Sequence, residues 1–170
     1  MMLTNLRVRN ISGDVSTDDI IPAKYKHMYT EPEQLAPHIF ENFRPGFAET
    51  VHSNDFIVCD GIFGIGSSRE QAVSSMLAKG IKAVIAPEFG RIFYRNAWNL
   101  GLIAIQIQKC ELSEYEEVEI DLINGVLTKG NKIYSFLPPS NFMIKMLEVG
   151  GILNYVSRNM KQKKDYHYED

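Results

Sequence analysis

Between Phe56 and Ile107 the sequence keeps the clearest rhythm of the chain, short apolar runs alternating with turns and stretches of helical spacing that end in glycine. Phe56-Ile57-Val58-Cys59-Asp60 reads as a buried strand. The glycine-rich turn Gly61-Ile62-Phe63-Gly64-Ile65-Gly66 follows, then a helix from about Ser68 to Lys79 that stops at Gly80. Lys82-Ala83-Val84-Ile85-Ala86 is a second strand, Arg91 to Leu100 a second helix stopped by Gly101, and Leu102 to Ile107 a third strand. Loops this short leave room only for right-handed crossovers between neighbouring parallel strands. The expected class is therefore α/β, built on a parallel βαβαβ core.

The flanks are less regular. Leu6-Arg7-Val8-Arg9-Asn10-Ile11 alternates like a strand, Ser12-Gly13-Asp14 punctuates it, and Val15 to Asp19 reads as a polar loop before Ile20-Ile21-Pro22. A helix enters at Glu31-Pro32 and runs in broken form to about Phe43, interrupted by Pro37. After Lys109, Val118 to Ile123 alternates into the hairpin signal Asn124-Gly125, so the sheet is expected to be mixed. Pro138-Pro139 introduces a helix from about Ser140 to Val149, and from Ser157 the chain is polar and expected to fray. One domain over 1–156 and a polar tail over 157–170 is the resulting division.

Composition excludes several classes. The net charge of −3 lacks the basic excess that displaces counterions from nucleic acid. No stretch approaches the roughly 20 apolar residues that span a bilayer, and the start lacks the apolar core of a secretory signal, so a cytoplasmic location is expected. Cys59 and Cys110 stand far apart without a CxxC pair, which argues against a disulfide framework and against a cluster held by this chain alone. The four histidines show no i, i+4 pairing, so any metal is expected on another chain.

Chemistry concentrates in Gly66-Ser67-Ser68-Arg69-Glu70. Ser67 and Glu70 stand at capping-box spacing, and one reading makes them only a helix cap. The other takes in the neighbours. Gly64 and Gly66 permit φ > 0 and leave the backbone bare, bare amides at a helix start favour an anion, and Arg69 offers a planar fork for a carboxylate. A phosphate loop would need lysine after the turn, and a dinucleotide fingerprint would need a small residue where Arg69 stands. A carboxylate is the better-fitting anion.

Gly64-Ile65-Gly66-Ser67-Ser68-Arg69-Glu70-Gln71-Ala72 resembles the signature of the aconitase superfamily's swivelling domain. So do Gly13-Asp14-Val15-Ser16-Thr17-Asp18-Asp19-Ile20-Ile21-Pro22 and the segment Gly90 to Gly101, three motifs in order that cover residues from about 6 to 155. The likeness is strongest to the separate small subunits of 3-isopropylmalate dehydratases and their homoaconitase-like relatives. It implies a layered β/β/α fold and a hydro-lyase active only with a large partner subunit that holds a 4Fe-4S cluster. The substrate would be a small hydroxy dicarboxylic acid, and isopropylmalate chemistry belongs to leucine biosynthesis. By motif position Ser67 would be the base, Ser68 and Arg69 would hold a substrate carboxylate beside Gly66, and Asp18 would lie near the site. Such a role asks that the Ser67 alkoxide be stabilised, and first-turn amides with Arg69 are suited to that. Arg91, Arg95 and Asn96 are candidates for facing the partner, with Phe93, Ala97 and Leu100 as the buried stripe of their helix.

The family's loop after Ile21-Pro22 contacts the variable part of the substrate, and here it contains Lys26, His27, Met28 and Tyr29. Met28 or Tyr29 suits a dry pocket for an isopropyl group. Lys26 or His27 suits an extra carboxylate as in homocitrate-like acids, or simply faces water. A dimethylmalate also fits, so the substrate stays open at this point. A non-catalytic carboxylate-binding module is the contrasting reading.

Overall fold

The computed structural model describes residues 1–165, with the side chains of all but Lys26 and residues 161–165. The chain opens with β1 (Met2–Ile11), passes through β2 (Val15–Ser16) and three one-turn helices, α1 (Thr17–Ile20), α2 (Ala23–Lys26) and α3 (Pro32–Leu35), and reaches β3 (Asp55–Cys59). Next come β4 (Ile62–Ile65), α4 (Glu70–Lys79), β5 (Ala83–Ala86), β6 (Glu88–Phe89), α5 (Arg91–Leu100) and β7 (Ile103–Gln106). The meander β8 (Glu117–Asp121), β9 (Val126–Lys129) and β10 (Lys132–Ser135) leads to α6 (Asn141–Glu148) and α7 (Ile152–Asp165).

Seven strands form one sheet in the order β10-β9-β8-β1-β3-β5-β7. The strands β1, β3, β5 and β7 run parallel, whereas β8 is antiparallel to β1 and to β9. This is the expected α/β architecture, a mixed sheet whose parallel core comes from the βαβαβ rhythm. Both long crossover helices end where glycine allows it, with Gly80 at φ 103 and Gly101 at φ 91. Helix α5 buries Phe93 and Ala97 as its spacing requires, but Trp98 rather than Leu100 completes the stripe.

A second sheet departs from the sequence reading. The glycine-rich segment after β3 is not all turn, because Ile62–Ile65 forms β4, which lies between β2 and β6 in a small parallel sheet. Phe63 and Phe89 from this sheet pack with Phe93 of α5 in edge and stacked contacts. The helix near Pro32 is also shorter than expected, giving way to a 3-10 turn at Ala36–His38. At the far end the expected frayed tail begins inside α7, which continues to Asp165. Ile152 and Tyr155 face inward there, and Tyr155 packs edge-on against Phe142. That contact supplies the tertiary support that a polar segment lacks by itself.

Candidate functional site

Two segments meet to make the site, one following the C-terminal end of β1 and the other following β3 and β4. Gly64 sits at φ 79, and a Cβ there would lie 2.2 Å from the Phe93 ring, so only glycine lets α5 press against this backbone. Gly66 at φ 93 then turns the chain away from the small sheet. The Thr17 hydroxyl, buried beneath, donates to the Ser67 carbonyl at 2.9 Å and fixes the turn.

The expected capping box at Ser67 and Glu70 does not form. Helix α4 starts at Glu70, Arg69 occupies the N-cap position at φ −124, and no side chain caps it. The cause is tertiary. Gly66 and the Thr17 bond hold Ser67 in place, while Arg69 is pulled toward α1, so the backbone turns helical only after Arg69. A capping box does occur in the segment read as a polar loop. Ser16 and Asp19 cap α1 reciprocally, with the Ser16 amide and hydroxyl donating to Asp19 Oδ2 at 2.8 and 2.6 Å.

Asp19 is thereby consumed by structure, and its neighbour Asp18 is free for the site. Arg69 Nη1 lies 2.5 Å from Asp18 Oδ1 and donates to the Ile21 carbonyl at 3.2 Å. The Arg69 side chain is only 10% exposed, whereas Asp18 is 49% exposed. Arg69 Nε is buried and has no hydrogen-bond partner, a standing cost for a cationic donor. Ser67 and Ser68 lie exposed beside it, and among the described residues neither hydroxyl makes a hydrogen bond. Among the same residues the backbone N–H groups of Ser67 to Gln71 donate to no protein acceptor. Free amides, two hydroxyls and a clamped guanidinium at the positive end of α4 are groups chemically able to hold an anion.

Of the sequence candidates, Gly66, Ser67, Ser68, Arg69 and Asp18 are brought together. His27 and Met28 lie exposed on the loop after α2, and Tyr29 is half-buried against Tyr25 and His38. The Lys26 side chain lies outside the described residues. Thr17 escaped the sequence reading, although its place between a capping serine and two aspartates marks it as part of a folded turn. The described residues include no group of three or more His, Cys, Asp or Glu placed to hold a metal. Burial pushes the Cys59 and Cys110 thiols up to about 11, and Cys59 donates to the Gly13 carbonyl.

Comparison with known proteins identifies the family and the fold. The family profile described as the aconitase C-terminal domain matches residues 3–110. The chain belongs to the aconitase C-terminal domain family. It is 41% identical over 160 residues to the 3-isopropylmalate dehydratase small subunit of Sulfurimonas denitrificans, covering 92% of this chain and 95% of that one. It is 35% identical over 155 residues to the homoaconitase small subunit of Thermus thermophilus, covering 90% and 95%. A crystal structure of 3-isopropylmalate dehydratase from Methanocaldococcus jannaschii superposes with a TM-score of 0.87 at 40% identity, covering 97% of this chain and 99% of that one. No helix among the described residues is long and apolar enough to cross a membrane.

Proposed function

We propose that this chain is the small subunit of a cytoplasmic two-chain hydro-lyase that interconverts 3-isopropylmalate and 2-isopropylmalate, a step of leucine biosynthesis. The observation that carries the reading is Arg69, nine-tenths buried and clamped by Asp18, with Nε unpartnered beside the open Ser67 hydroxyl and free amides. The full-length likeness to chains named 3-isopropylmalate dehydratase small subunit supports it.

In this reading one substrate carboxylate docks on Arg69, Ser68 and the amides after Gly66. Ser67, as its alkoxide, takes the proton from the carbon next to the one bearing the hydroxyl. The carbanion's electron pair forms the new double bond as the hydroxyl departs, and interconversion follows when water adds back in the opposite sense, the hydroxyl to the carbon that lost its proton and the proton to the carbon that lost its hydroxyl. Ser67 has no hydrogen-bonded base of its own among the described residues, so the amides of the α4 start and the guanidinium are the groups that stabilise its anion. Asp18 keeps the guanidinium oriented. Gly66, Ser67 and Ser68 are exposed, and we infer that a large partner subunit closes over them and brings the iron–sulfur cluster. Ile92 stays exposed at the start of α5, whose Phe93 packs against Gly64, apolar surface of the kind that a partner covers.

Anaerobic reconstitution with a large subunit tests the reading, with 3-isopropylmalate, homocitrate, citrate and 2,3-dimethylmalate assayed side by side. Turnover of 3-isopropylmalate above the others is the expected result. Preference for homocitrate would instead favour a homoaconitase subunit, which the exposed His27 and the Thermus relative make the alternative. Carboxylate binding without turnover in the assembled complex would reduce the chain to a binding module.

A further inference from the structure

Thr17 and Asp18 are consecutive residues of the one-turn α1, and each reaches a different residue of the turn after β4. Asp18 Oδ1 lies 2.5 Å from Arg69 Nη1, and the Thr17 hydroxyl donates to the Ser67 carbonyl at 2.9 Å. The position of Thr17 is itself set by backbone contacts. Strand β2 runs parallel to β4 with Ser16 opposite Ile65, which brings Thr17 beside Gly66, where a Cβ would lie 3.9 Å from its hydroxyl oxygen. The Thr17 carbonyl accepts from the Ile21 amide at 3.0 Å, and the reciprocal cap of Ser16 and Asp19 closes the start of the same turn. Buried, and with a branched Cβ that restricts its rotamers, Thr17 holds its hydroxyl in one direction.

That bond also decides where the other end of the same peptide points. A trans peptide is planar, with its C=O and N–H on opposite sides. With the Ser67 carbonyl turned inward to Thr17, the Ser68 N–H is turned outward, to the face where Ser67 and Ser68 lie exposed. Among the described residues this N–H donates to no protein acceptor, and no group other than Thr17 donates to the Ser67 carbonyl. Linked hydrogen bonds polarise one another, so donation into the carbonyl makes the N–H of that peptide a stronger donor. Gly66, at φ 93, leaves the backbone just before it easy to redirect.

We propose that Thr17 is a positioning residue for the base, holding the Ser67–Ser68 peptide so that its N–H dipole, strengthened through the carbonyl, faces the negative charge that forms on the Ser67 oxygen. The inference rests on the hydro-lyase reading above. Thr17 touches no reacting atom. The clamp on Arg69 does not need its hydroxyl, since Asp18 and the Ile21 carbonyl are carried by the capped backbone of α1. Loss of the hydroxyl therefore falls on proton transfer and spares the seating of the substrate.

The test compares wild type, Thr17→Val and Thr17→Ser, each assembled with the large subunit and assayed on the preferred malate. Thr17→Val keeps the shape but loses the hydroxyl. It is expected to lower kcat about tenfold, short of the roughly 100-fold for deleting an anion-stabilising donor outright. KM should stay within about twofold. Thr17→Ser keeps the hydroxyl and gives up a buried methyl, so it should recover most of kcat, whereas a role in packing alone would make it the worse variant. In the isolated chains, the carbonyl carbon-13 resonance of Ser67 should move upfield in Thr17→Val and stay in place in Thr17→Ser. An active wild type with unchanged kcat in Thr17→Val overturns the inference alone. So does an equal loss in both variants, or a rise in KM in place of the fall in kcat. A wild-type complex that converts no malate sinks the hydro-lyase reading and the base with it. The Ser67 resonance then still reports on the peptide, and an unmoved signal in Thr17→Val removes the positioning as well.

Discussion

Two arginines of this chain sit nearly out of water beside carboxylates, and they are treated in opposite ways. Arg9, 1% exposed, is fully engaged, with Nη1 donating to Asp55 at 2.9 Å and to the Thr50 carbonyl, Nε to Glu114 at 2.9 Å, and Nη2 to the Thr50 hydroxyl. Its guanidinium lies over the Phe47 ring, and Asp55 is further closed by Arg7 and the His52 amide. Arg69, 10% exposed, has Nη1 held by Asp18 and Ile21 but Nε unpartnered. A charge network in which every donor and acceptor is used specifies structure, because any rearrangement strands a buried charge. A clamped arginine with an unmet donor beside free amides and hydroxyls keeps hydrogen-bonding capacity that the fold itself does not use. The first cluster locks the start of β3 to β1, and the second lies where the chain has left the other end of those strands.

Substitutions that exchange the two behaviours would break this contrast. Ser67→Ala should lower kcat of the assembled enzyme by roughly 100- to 10,000-fold, the range for loss of a general base, with unfolding of the isolated chain unaltered. Residual turnover within a few-fold of wild type would remove Ser67 from the base role. Asp55→Ala should do the reverse and cost about 3–5 kcal/mol of stability in urea titrations, because Arg9 and Arg7 lose their shared partner. Activity per folded molecule should hold. Arg69→Lys keeps the charge but loses the fork, and kcat/KM should fall about 10- to 100-fold, as expected for losing charge-assisted hydrogen bonds.

Acid sharpens the comparison with a smaller effect. Burial works against the Asp55 and Glu114 carboxylates, yet Arg7, the His52 amide and Arg9 for the former, and Arg44, the Asn10 amide and Arg9 for the latter, hold both below their ordinary values of 3.8 and 4.5. Their contribution to stability is thus complete above those ordinary values and lost as pH falls through the lower folded ones. Urea midpoints measured from pH 7 to pH 3 should decline for wild type, and the decline should flatten in Asp55→Ala. An equal slope in both proteins would mean that the buried network does not govern the acid limb.

The sequence disclosed the parallel core because strand and helix periods alternate cleanly from Phe56 to Ile107, with Gly80 and Gly101 ending the helices. It disclosed the site turn because glycines, serines and an arginine share five positions, Gly66 to Glu70. The small sheet was hidden, since the four residues of β4 and the two each of β2 and β6 are too few for a period of two to register. The capping box was assigned to the wrong serine for a related reason. Ser67 and Ser16 both stand three residues before an acidic side chain, and local spacing contains nothing about the Thr17 hydroxyl that holds Ser67 in an extended turn.

Residue order alone therefore determined the class of fold, the glycine stops of α4 and α5 and the cluster of groups able to seat a carboxylate, because each depends on neighbours within a few positions of the chain. Tertiary structure decided which aspartate pairs with Arg69, where α4 begins and which carboxylate the Tyr25 hydroxyl meets. Those outcomes depend on contacts between residues 16 to 51 positions apart, such as Tyr25 with Glu41, Thr17 with Ser67 and Arg69 with Asp18, and such pairs have no spacing signature to read.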